Sequence, residues 1–375
     1  KYNIEMKIAL VHDQLQEFGG AERVLMSLKK IFPNAPVYTA FYNYKTLGHH
    51  AKEIKKWKII PSWAQYVPFF KKLYSPLRFL APQIWESFDF FKYDVVITSS
   101  GWYMCKGITT DKKTKNICYM HHPPRYLYGY ETAVEWQKYL LVKIYANIIN
   151  HKLRMWDYTS AQKVDYFIAN SQETRLRIQK FYRRDAYVIY PPVDIPRTFK
   201  NSIENKKGYY ITVSRMARAK HIDILIKAAN KMKINLKIVG RGRDLIYLKE
   251  IAGDTIKFVE KVDDTQLKNL LSGAKAFLFA AVDEEFGIAP VEAMGYGLPV
   301  IAFSSGGLKE TVEDGVNGFL FNNLNIDDLI KKIKKLEKMT DTEYLNMREA
   351  SYRESKKYSQ ENFKKNILSF LQKVS

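Results

Sequence analysis

The sequence predicts an α/β protein made of two doubly wound, Rossmann-like domains. Apolar, β-rich runs alternate with helical stretches along the chain, which is typical of parallel sheets covered on both faces. At 375 residues, the chain is longer than one hydrophobic core usually supports. The alternation restarts after the polar segment 197–207, which we interpret as the linker between the two domains.

The first domain is expected to span residues 1–195. A helix over Ala21–Ile31 follows its first strand, and residues 187–194 are interpreted as a last strand that runs into a rigid Pro-Pro exit. The remaining strands are short apolar runs. Together with the first strand they are Lys7–Asp13, Ala35–Phe41, Asp94–Ser99, Asn116–Met120 and Asp165–Asn170.

The second domain is expected to span residues 208–355. A helix over His221–Met232 follows its first strand, and a long basic helical stretch, Asp327–Ser375, closes the chain. The last part of that stretch, 356–375, is expected to return to the first domain as a C-terminal helix. The strands of the second domain are Tyr209–Ser214, Leu236–Val239, Lys257–Val259, Ala276–Ala280 and Val300–Phe303.

Charge narrows the class of partner. The net charge is +21, with 29 Lys/Arg against 16 Asp/Glu in residues 1–195 and 31 against 23 in the rest. A cationic excess in both halves favours anionic partners such as a nucleotide, a phosphate-bearing lipid or a membrane surface. The sequence has no zinc-finger spacing, RNP-type motif or Arg-rich tract, which argues against a nucleic-acid partner.

Cellular location is predicted from apolar runs and cysteines. No apolar run approaches the roughly 20 residues that span a bilayer, and no secretory leader is recognised. Cys105 and Cys118 are too few for a disulfide framework or a zinc site, and we interpret them as small buried residues in a reduced cytosol. We therefore expect a cytoplasmic protein, either free or peripheral on the inner face of the cell membrane.

Two acids mark the most informative segment. Glu284 and Glu292 lie eight positions apart across a predicted loop-to-helix junction, with Pro290 and Glu292 expected in the first helical turn. Gly287 lets the backbone approach a ligand, and the amides of Gly287 and Ile288 can point at an anion. Carboxylates around an amide cluster suit the hydroxyls of a sugar and a ribose beside a phosphate. The alternative is a helix N-terminus whose dipole favours acids.

This segment, E-x-F-G-x-x-x-x-E-A-M-x-x-G-x-P-V, resembles the E-x7-E signature of the family-four retaining glycosyltransferases. The resemblance covers nearly the whole chain and is strongest over residues 209–321. It implies the GT-B arrangement, in which two doubly wound domains face each other across a cleft and a C-terminal helix crosses back to the first. It further implies that Glu284 binds the transferred sugar, Glu292 the ribose, and Gly287 and Ile288 the donor diphosphate.

Two further loops carry groups suited to a diphosphate. Gly19 and Gly20 precede a helix, where backbone amides can approach an anion; a simple tight turn is the alternative. Arg215 and Lys220 can bracket two phosphates with a planar fork and a point charge; ordinary surface cations are the alternative. Both pairs resemble diphosphate contacts of the family, although the glycines that flank the Arg and the Lys in the family pattern are replaced here.

Three residues are predicted at the nucleotide base. Gly240 lies in a V-G-R-G-R run without the third glycine of a dinucleotide fingerprint, so no nicotinamide site is inferred. The resemblance implies that Gly240 lines the nucleotide pocket. Val262 and Asp264 lie in an F-x-x-x-V-D-D stretch that reads the base in related mannosyltransferases, where a carboxylate suits the paired N–H donors of guanine. The alternative is that the Asp263-Asp264 pair caps the next helix.

His121 follows the Asn116–Met120 strand, at the sheet edge where open α/β proteins bind ligands. Its surroundings, Y-M-H-H-P-P-R-Y, resemble the Y-x-H-x-P-x-R-Y loop of the family. The resemblance implies that His121 faces the transferred sugar and bonds a hydroxyl or stabilises developing charge. A purely structural histidine is the alternative.

Residues 52–80 are basic and aromatic at once, with seven cations against the single acid Glu53 and seven interleaved aromatic side chains. Such a stretch can lie among anionic lipid headgroups, with aromatic rings inserted and cations on phosphates. The alternative is an amphipathic helix pair that packs its aromatic side chains into the core of the first domain.

The sequence therefore predicts a retaining glycosyltransferase, closest to mannosyltransferases of bacterial surface polysaccharide synthesis. GDP-mannose is the expected donor, and a glycan or lipid-linked saccharide the expected acceptor. No cofactor and no metal are expected, because no D-x-D triad occurs and Arg215 and Lys220 can supply the positive charge. The alternatives are a nucleotide-sugar epimerase of the same architecture and an inactive sugar- or lipid-binding scaffold.

Overall fold

The computed structural model describes residues 6–132 and 139–374. These residues form two compact units. The first comprises residues 6–130, 139–192 and 364–374, and the second comprises residues 131–132 and 193–363. Each unit is built around one parallel sheet, which confirms the prediction of two Rossmann-like α/β domains.

The first unit contains a sheet whose described strands are β1 Ile8–His12, β2 Val37–Thr39, β3 Ile59–Pro61, β4 Val95–Ser100, β5 Lys115–Met120, β6 Tyr166–Ala169 and β7 Ala186–Val188. All neighbouring pairs are parallel, in the order β3-β2-β1-β4-β5-β6-β7. The order runs one way from β1 and the other way from β4. The carboxyl ends of these two strands therefore flank the crevice where such sheets bind ligands.

The described helices of the first unit are α1 Gly20–Ile31, α2 Ala51–Ile54, α3 Phe70–Leu73, α4 Ala81–Glu86, α5 Arg125–Tyr128, α6 Leu140–Gln162 and α7 Gln172–Tyr182. The first unit has an aromatic core, which includes the fully buried Phe41, Phe70, Trp85 and Tyr103. The indole N–H of Trp85 donates to the Tyr103 carbonyl at 2.7 Å, so burial leaves this donor paired.

The second unit contains a sheet whose described strands are β8 Tyr209–Val213, β9 Leu236–Val239, β10 Ile256–Val259, β11 Ala274–Phe279, β12 Val300–Phe303 and β13 Gly318–Phe321. They are parallel, in the order β10-β9-β8-β11-β12-β13, so the order reverses between β8 and β11. The helices described after β8 are α8 Ile222–Met232, α9 Leu245–Glu250, α10 Asp264–Ser272, α11 Ile288–Met294, α12 Leu308–Thr311, α13 Ile326–Glu337, α14 Asp341–Ser355 and α15 Gln360–Val374.

The last helix, α15, begins among residues of the second unit and ends in the first. Its Phe370 ring packs against the rings of Tyr166 and Tyr187, with centroid separations of 6.1 and 5.0 Å. These contacts attach the end of the chain to β6 and β7. Of the predicted C-terminal segment 356–375, the described residues 356–374 form a short 3₁₀ turn followed by α15. Residues 356–363 belong to the second unit and residues 364–374 to the first.

Two strands were not predicted. β3 is three residues long and ends in Pro61, and β13 starts at a glycine. A Cβ on Gly318 would lie 2.1 Å from the Val300 carbonyl oxygen, so the glycine lets β13 approach β12 closely. Short edge strands with Pro or Gly lack the alternation on which strand prediction depends. The strand predicted at 187–194 is also shorter than expected, because β7 ends at Val188.

Candidate active site

The second unit brings a lysine and a glutamate into contact across 64 residues of sequence. Lys220 follows β8 and Glu284 follows β11, so both lie at the carboxyl edge of the sheet where its strand order reverses. Lys220 Nζ donates a hydrogen bond to Glu284 Oε2 and lies 5.6 Å from the centroid of the Phe279 ring. The two side chains are only 24% and 17% exposed, so solvent screens their attraction less than on the open surface.

A glycine-rich loop holds the main chain at Glu284. Gly307 donates its N–H to the Glu284 carbonyl at 2.8 Å, and Ser305 Oγ accepts the N–H of Asp283 at 2.9 Å. A Cβ on Gly306 would lie 1.9 Å from the Glu284 carbonyl oxygen, so only glycine permits this approach. The loop is absent from the predicted site, although its Ser-Ser-Gly-Gly run after β12 is a sequence signal for close backbone packing.

The start of α11 lies where the sequence predicts it, but Glu292 does not lie in the first turn. Gly287 precedes the helix at φ 89°, a conformation that glycine adopts without strain, and Ile288 is the first helical residue. Glu292 is therefore the fifth residue of the helix and lies half-buried in its second turn. The prediction that Glu292 lies in the first helical turn is wrong, because α11 begins two residues before Pro290 and Glu292 then falls in the second turn.

Three acids of the second unit surround Tyr296. Burial and the negative charges of Glu292, Asp194 and Asp264 raise the pKa of Tyr296 to about 12. Glu292 and Asp264 were assigned separately to ribose and base, from different motifs. Glu292 and Asp264 therefore both lie close enough to one phenol, that of Tyr296, for their charges to raise its pKa, and the motifs did not identify this tyrosine.

The structure decides which acid caps α10. Asp263 Oδ1 accepts the N–H of Gln266 at 2.7 Å, and the Gln266 side chain accepts the N–H of Asp263 at 3.1 Å, which is a capping box. Asp264 is the first residue of the helix and is exposed, while Val262 is half-buried just before the cap. The capping alternative therefore applies to Asp263, and base recognition by Asp264 and Val262 stays a prediction.

Two glycines shape the loop that carries Arg215. A Cβ on Gly240 would lie 2.1 Å from the Ser214 carbonyl oxygen, and one on Gly242 would lie 2.0 Å from that of Met216. The turn after β9 thus packs directly on the main chain around Arg215, whose side chain is exposed. The observed contact of Gly240 is with this loop, and its contact with a base stays a prediction.

His221 stands where the family pattern has the glycine after the lysine. It adopts φ 45°, in the left-handed region that costs a non-glycine residue roughly 1–2 kcal/mol. Glycine would adopt this conformation without that cost, which explains the family preference physically. The chain keeps the turn with a histidine, and Lys220 remains directed at Glu284.

In the first unit, His121 lies in a buried polar cluster. Ser99 Oγ is 2.7 Å from His121 Nε2 and 3.0 Å from His12 Nδ1. His12 ends β1, Ser99 lies near the end of β4 and His121 follows β5, so adjacent strands bring the three together. His121 therefore lies at the sheet edge as predicted, and Ser99 and His12 are partners that no motif identified.

Glu22 extends this cluster to the predicted diphosphate loop. Its Oε2 accepts the N–H of Gly19 at 2.8 Å, and its Oε1 lies 3.4 Å from His12 Nε2. The Gly19 amide is thus engaged within the chain by one of the two bonds of a capping box, because glycine has no side chain to make the other. Gly20 is the first residue of α1 and is exposed. Diphosphate binding by this glycine pair stays a prediction.

The basic aromatic segment 52–80 is not the helix pair of the alternative interpretation. It contains the end of the four-residue helix α2, the four-residue helix α3, the strand β3 and short 3₁₀ turns. Phe70 is buried in the aromatic core, whereas Tyr66 and Phe69 are 78% and 71% exposed. The segment therefore divides between core packing and an exposed aromatic surface. No helix within residues 6–132 and 139–374 is both long enough and apolar enough to cross a membrane.

Two family models match the chain. The one described as Glycosyltransferase Family 4 matches residues 18–197, and the one described as Glycosyl transferases group 1 matches residues 195–357. The two matches meet within a few residues of position 193, where the chain passes from the first unit to the second.

Among curated proteins, the chain is similar to the UDP-N-acetylglucosamine–peptide N-acetylglucosaminyltransferase GtfA subunit of Streptococcus pneumoniae. The two are 30% identical over 207 residues, and the match covers 50% of this chain and 41% of that protein. The chain is also 27% identical over 202 residues to the alpha-1,3/1,6-mannosyltransferase ALG2 of Kluyveromyces lactis, and this match covers 40% of either protein. The matched part of the chain spans about two fifths of the length of these curated relatives.

Among solved structures, Anabaena HepE in complex with UDP and glucose superposes with a TM-score of 0.71 at 20% identity, covering 98% of this chain and 100% of that one. A mutant of S. aureus TarM in complex with UDP and other ligands superposes with a TM-score of 0.66 at 16% identity, covering 97% and 99%. These likenesses establish the fold, and the two family models between them match residues 18–357. The chain belongs to the GT-B glycosyltransferases.

Proposed function

We propose that the chain is a retaining, metal-independent hexosyltransferase that takes mannose from GDP-mannose. The observation that carries the proposal is the contact between Lys220 and Glu284. Lys220 is assigned to the donor diphosphate and Glu284 to the transferred sugar. Because the sugar of such a donor is bonded directly to the diphosphate, the groups that bind the two need to lie side by side.

In this proposal, Lys220 and Arg215 neutralise the donor diphosphate, and the amides of Gly287 and Ile288 donate hydrogen bonds to it. In the structure, the Lys220 ammonium is balanced by the Glu284 carboxylate. When a donor binds, the ammonium turns to the phosphates and Glu284 accepts hydrogen bonds from sugar hydroxyls. The leaving nucleoside diphosphate gains negative charge in the transition state, so contacts to it lower the barrier.

Retention is proposed to follow from departure and attack on one face of the sugar. No side chain is assigned as a nucleophile toward the anomeric carbon. The acceptor hydroxyl forms the new glycosidic bond as the bond to the diphosphate breaks, and its proton passes to the departing phosphate oxygen. His121 keeps the role that the resemblance implies, a hydrogen bond to the transferred sugar. Positioning and charge stabilisation supply the rate enhancement.

The choice of GDP rests on Asp264. Its carboxylate is exposed at the start of α10, and a carboxylate can accept hydrogen bonds from the two N–H donors of guanine. The ribose is assigned to Glu292, which lies near the same Tyr296. The similarity to a yeast mannosyltransferase supports a mannosyl donor, whereas the similarity to the pneumococcal protein favours a UDP-linked donor.

Nucleotide preference tests the donor assignment. Thermal shifts with GDP, UDP, ADP and their sugars should be largest for GDP and GDP-mannose. A larger shift with UDP would remove the assigned role of Asp264 while leaving the diphosphate site intact. Proton NMR of the freshly formed glycoside should show the anomeric configuration of the donor, and an inverted product would refute retention. Full transfer in the presence of excess EDTA is expected.

A glycan or lipid-linked saccharide is the proposed acceptor, reached by peripheral contact with an anionic membrane during surface polysaccharide synthesis. The exposed rings of Tyr66 and Phe69 lie next to Lys71 and Lys72 in sequence, a combination suited to lipid headgroups. Phe69 adopts φ 60°, an uncommon conformation for a bulky residue. Helix α6 adds three exposed apolar side chains that are three and four residues apart and so lie on one face of the helix, Leu141, Ile144 and Ile148.

Co-sedimentation with vesicles tests this contact. The wild type should bind vesicles that contain anionic lipid and not neutral ones. Phe69→Ser should weaken that binding, whereas Phe91→Ser, which changes an aromatic ring 65% exposed outside the 52–80 segment, should not. Equal loss in both variants, or equal binding to neutral vesicles, would contradict the proposed surface.

A further inference from the structure

The first unit contains a cavity of about 700 Å³, and none of its described lining residues is assigned to the donor. Its walls come from the three loops that follow β1, β2 and β3. Because these strands are parallel neighbours, the loops meet at the carboxyl edge of the sheet, where such proteins bind ligands. The volume is in the range of small-molecule sites, roughly 300–1,000 Å³.

Hydrogen bonds tie the three loops to one another. Leu15 donates its N–H to the Phe41 carbonyl at 3.0 Å, and Asn43 donates its N–H to the carbonyl of the same leucine at 2.8 Å, which joins the loops after β1 and β2. The loop after β3 is joined to the second loop by Gln65, whose Oε1 accepts the N–H of Tyr42 at 3.0 Å. The walls are therefore pre-organised, which lowers the cost of binding a ligand.

Two glutamines that line the cavity have amide groups left to pair. The bond to Tyr42 fixes the orientation of the Gln65 amide, and its NH₂ group donates to no other residue in the described part of the chain. Gln16 Oε1 is buried and also lacks a hydrogen-bond partner among the described residues. A buried acceptor without a partner costs free energy. A saccharide hydroxyl both donates and accepts, so it can pair with either amide.

Two ammonium groups give the cavity a positive charge. Lys71 and Lys72 both line it, and none of its described lining residues is acidic. Neither lysine forms an ion pair with an acid among the residues that the structure describes, and Lys71 Nζ lies 5.9 Å from the centroid of the Tyr42 ring. Ammonium groups beside amides suit a phosphate ester, because it is negatively charged and accepts several hydrogen bonds.

An unusual backbone turn sets the position of these lysines. Phe69 adopts φ 60°, in the left-handed region, directly before α3. In α3, Phe70 is 1% exposed within the aromatic core, whereas the next two residues, Lys71 and Lys72, line the cavity. The turn therefore fixes both lysines relative to the core. Backbone conformations of this kind cluster at functional sites.

We propose that this cavity binds a phosphorylated saccharide, with the two ammonium groups on the phosphate and the amides of Gln16 and Gln65 on hydroxyls. That this compound is the acceptor of the transfer rests on the proposed function, but its binding in the cavity does not. The phosphate belongs either to a lipid-linked saccharide, whose lipid would lie against the exposed rings of Tyr66 and Phe69, or to a soluble sugar phosphate.

Isothermal titration of the full chain with α-glucose 1-phosphate tests the proposal. Glucose should bind about tenfold more weakly or less, because it lacks the phosphate. Gln65→Glu keeps an oxygen for the N–H of Tyr42 and replaces the NH₂ donor by a negative charge, so the affinity for α-glucose 1-phosphate should fall about tenfold or more.

The matched control is Gln179→Glu, which adds the same charge at an exposed position of α7 and should leave the affinity unchanged. Equal affinity for glucose and its phosphate, or equal loss in both glutamate variants, would overturn the proposal.

Changes of lysine provide a second test that leaves the bond to Tyr42 in place. Lys71→Gln should weaken binding of α-glucose 1-phosphate about tenfold. Lys92→Gln, which removes an ammonium 5.5 Å from the Tyr93 ring outside the cavity, should not. Lys220→Ala removes the cation assigned to the donor diphosphate and should also leave this binding unchanged. Binding that is lost in Lys220→Ala and kept in Lys71→Gln would locate the compound at the donor site and refute the proposal.

Two further comparisons identify the source of the phosphate and separate the inference from the proposed function. Release of the protein from anionic vesicles by α-glucose 1-phosphate would identify a lipid-linked phosphate, and the absence of such release a soluble ester. Binding of α-glucose 1-phosphate without binding of GDP-mannose would count against the proposed function alone. Binding of GDP-mannose without binding of α-glucose 1-phosphate would refute this inference alone.

Discussion

Replacing Glu284 by glutamine should have opposite effects on nucleotide binding and on transfer. In the structure, the Lys220 ammonium donates to the Glu284 carboxylate. A nucleoside diphosphate without its sugar competes with that carboxylate for the ammonium. Glutamine keeps the shape and an acceptor oxygen but removes the negative charge, so Lys220 becomes easier to recruit.

The size of the effect follows from the kind of hydrogen bond. A bond to a charged group contributes about 1.5–3 kcal/mol and a neutral one about 0.5–1.5 kcal/mol, so the change weakens the competing contact by about 1 kcal/mol. Affinity for GDP should therefore rise about fivefold in Glu284→Gln, since 1.4 kcal/mol corresponds to tenfold. Transfer should fall about 10²-fold, because the carboxylate contact to the sugar is lost in the transition state.

Isothermal titration with GDP and steady-state transfer kinetics measure the two effects. Glu285→Gln is the matched control, since it removes the same charge from the neighbouring half-buried position. Lys220→Ala should weaken GDP binding. In a protein that carries Lys220→Ala, the further change Glu284→Gln should no longer alter the affinity for GDP. Weaker GDP binding in Glu284→Gln, or an equal gain in Glu285→Gln, would refute the competition between carboxylate and diphosphate.

Three further outcomes are expected. Gly306→Ala should lower both Tm and transfer, because the new Cβ would lie 1.9 Å from the Glu284 carbonyl oxygen. The control Gly315→Ala has a similar positive φ and nothing within 4 Å of the new Cβ, so it should cost only backbone strain of roughly 1 kcal/mol. Similar losses in both variants would contradict the crowding argument. Asp264→Asn should weaken GDP binding more than UDP binding in the same titration, and an equal loss for both nucleotides would contradict base recognition. Burial raises the pKa of the Cys118 thiol to about 12 from an ordinary value of 9.0. Between these two pH values, the folded state keeps a proton that the unfolded state has lost. The free energy of unfolding should therefore fall by up to about 1.4 kcal/mol per pH unit as the pH rises. Denaturant unfolding between pH 8 and pH 10 should show a smaller decline in Cys118→Ala, and an identical decline would exclude the thiol as a source.

The elements with continuous apolar runs were predictable. The strands β1, β5, β9 and β12 lie within two residues of their predicted bounds, because a buried parallel strand is apolar on both faces and the sequence shows it without reference to partners. The strands β3 and β13 were not predictable. Each pairs with a neighbour at the edge of its sheet. Their Ile and Phe residues favour strands, but the two strands are only three and four residues long and contain Pro61 or Gly318, which weakens the sequence signal.

The candidate site divides in the same way. Arg215, Lys220, Gly287 and Glu292 were predicted from two short motifs at the ends of predicted strands and from the family resemblance that these motifs carry, and their roles stay predictions. The support of Glu284 by Gly306 did not follow, because it depends on the packing of two loops that come from different strands.

By itself, the sequence determined that this chain forms two parallel α/β units and that one of them carries acids and cations suited to a sugar diphosphate. Only the tertiary structure decided which of these groups touch. It paired Lys220 with Glu284, placed Asp263 rather than Asp264 at the helix cap, and joined Glu22 to His121 through two intermediaries. The physical reason is that hydrophobic periodicity is local and survives in a one-dimensional pattern. A hydrogen bond between strand ends, in contrast, depends on the order of strands in the sheet and on which loops can approach within 3 Å.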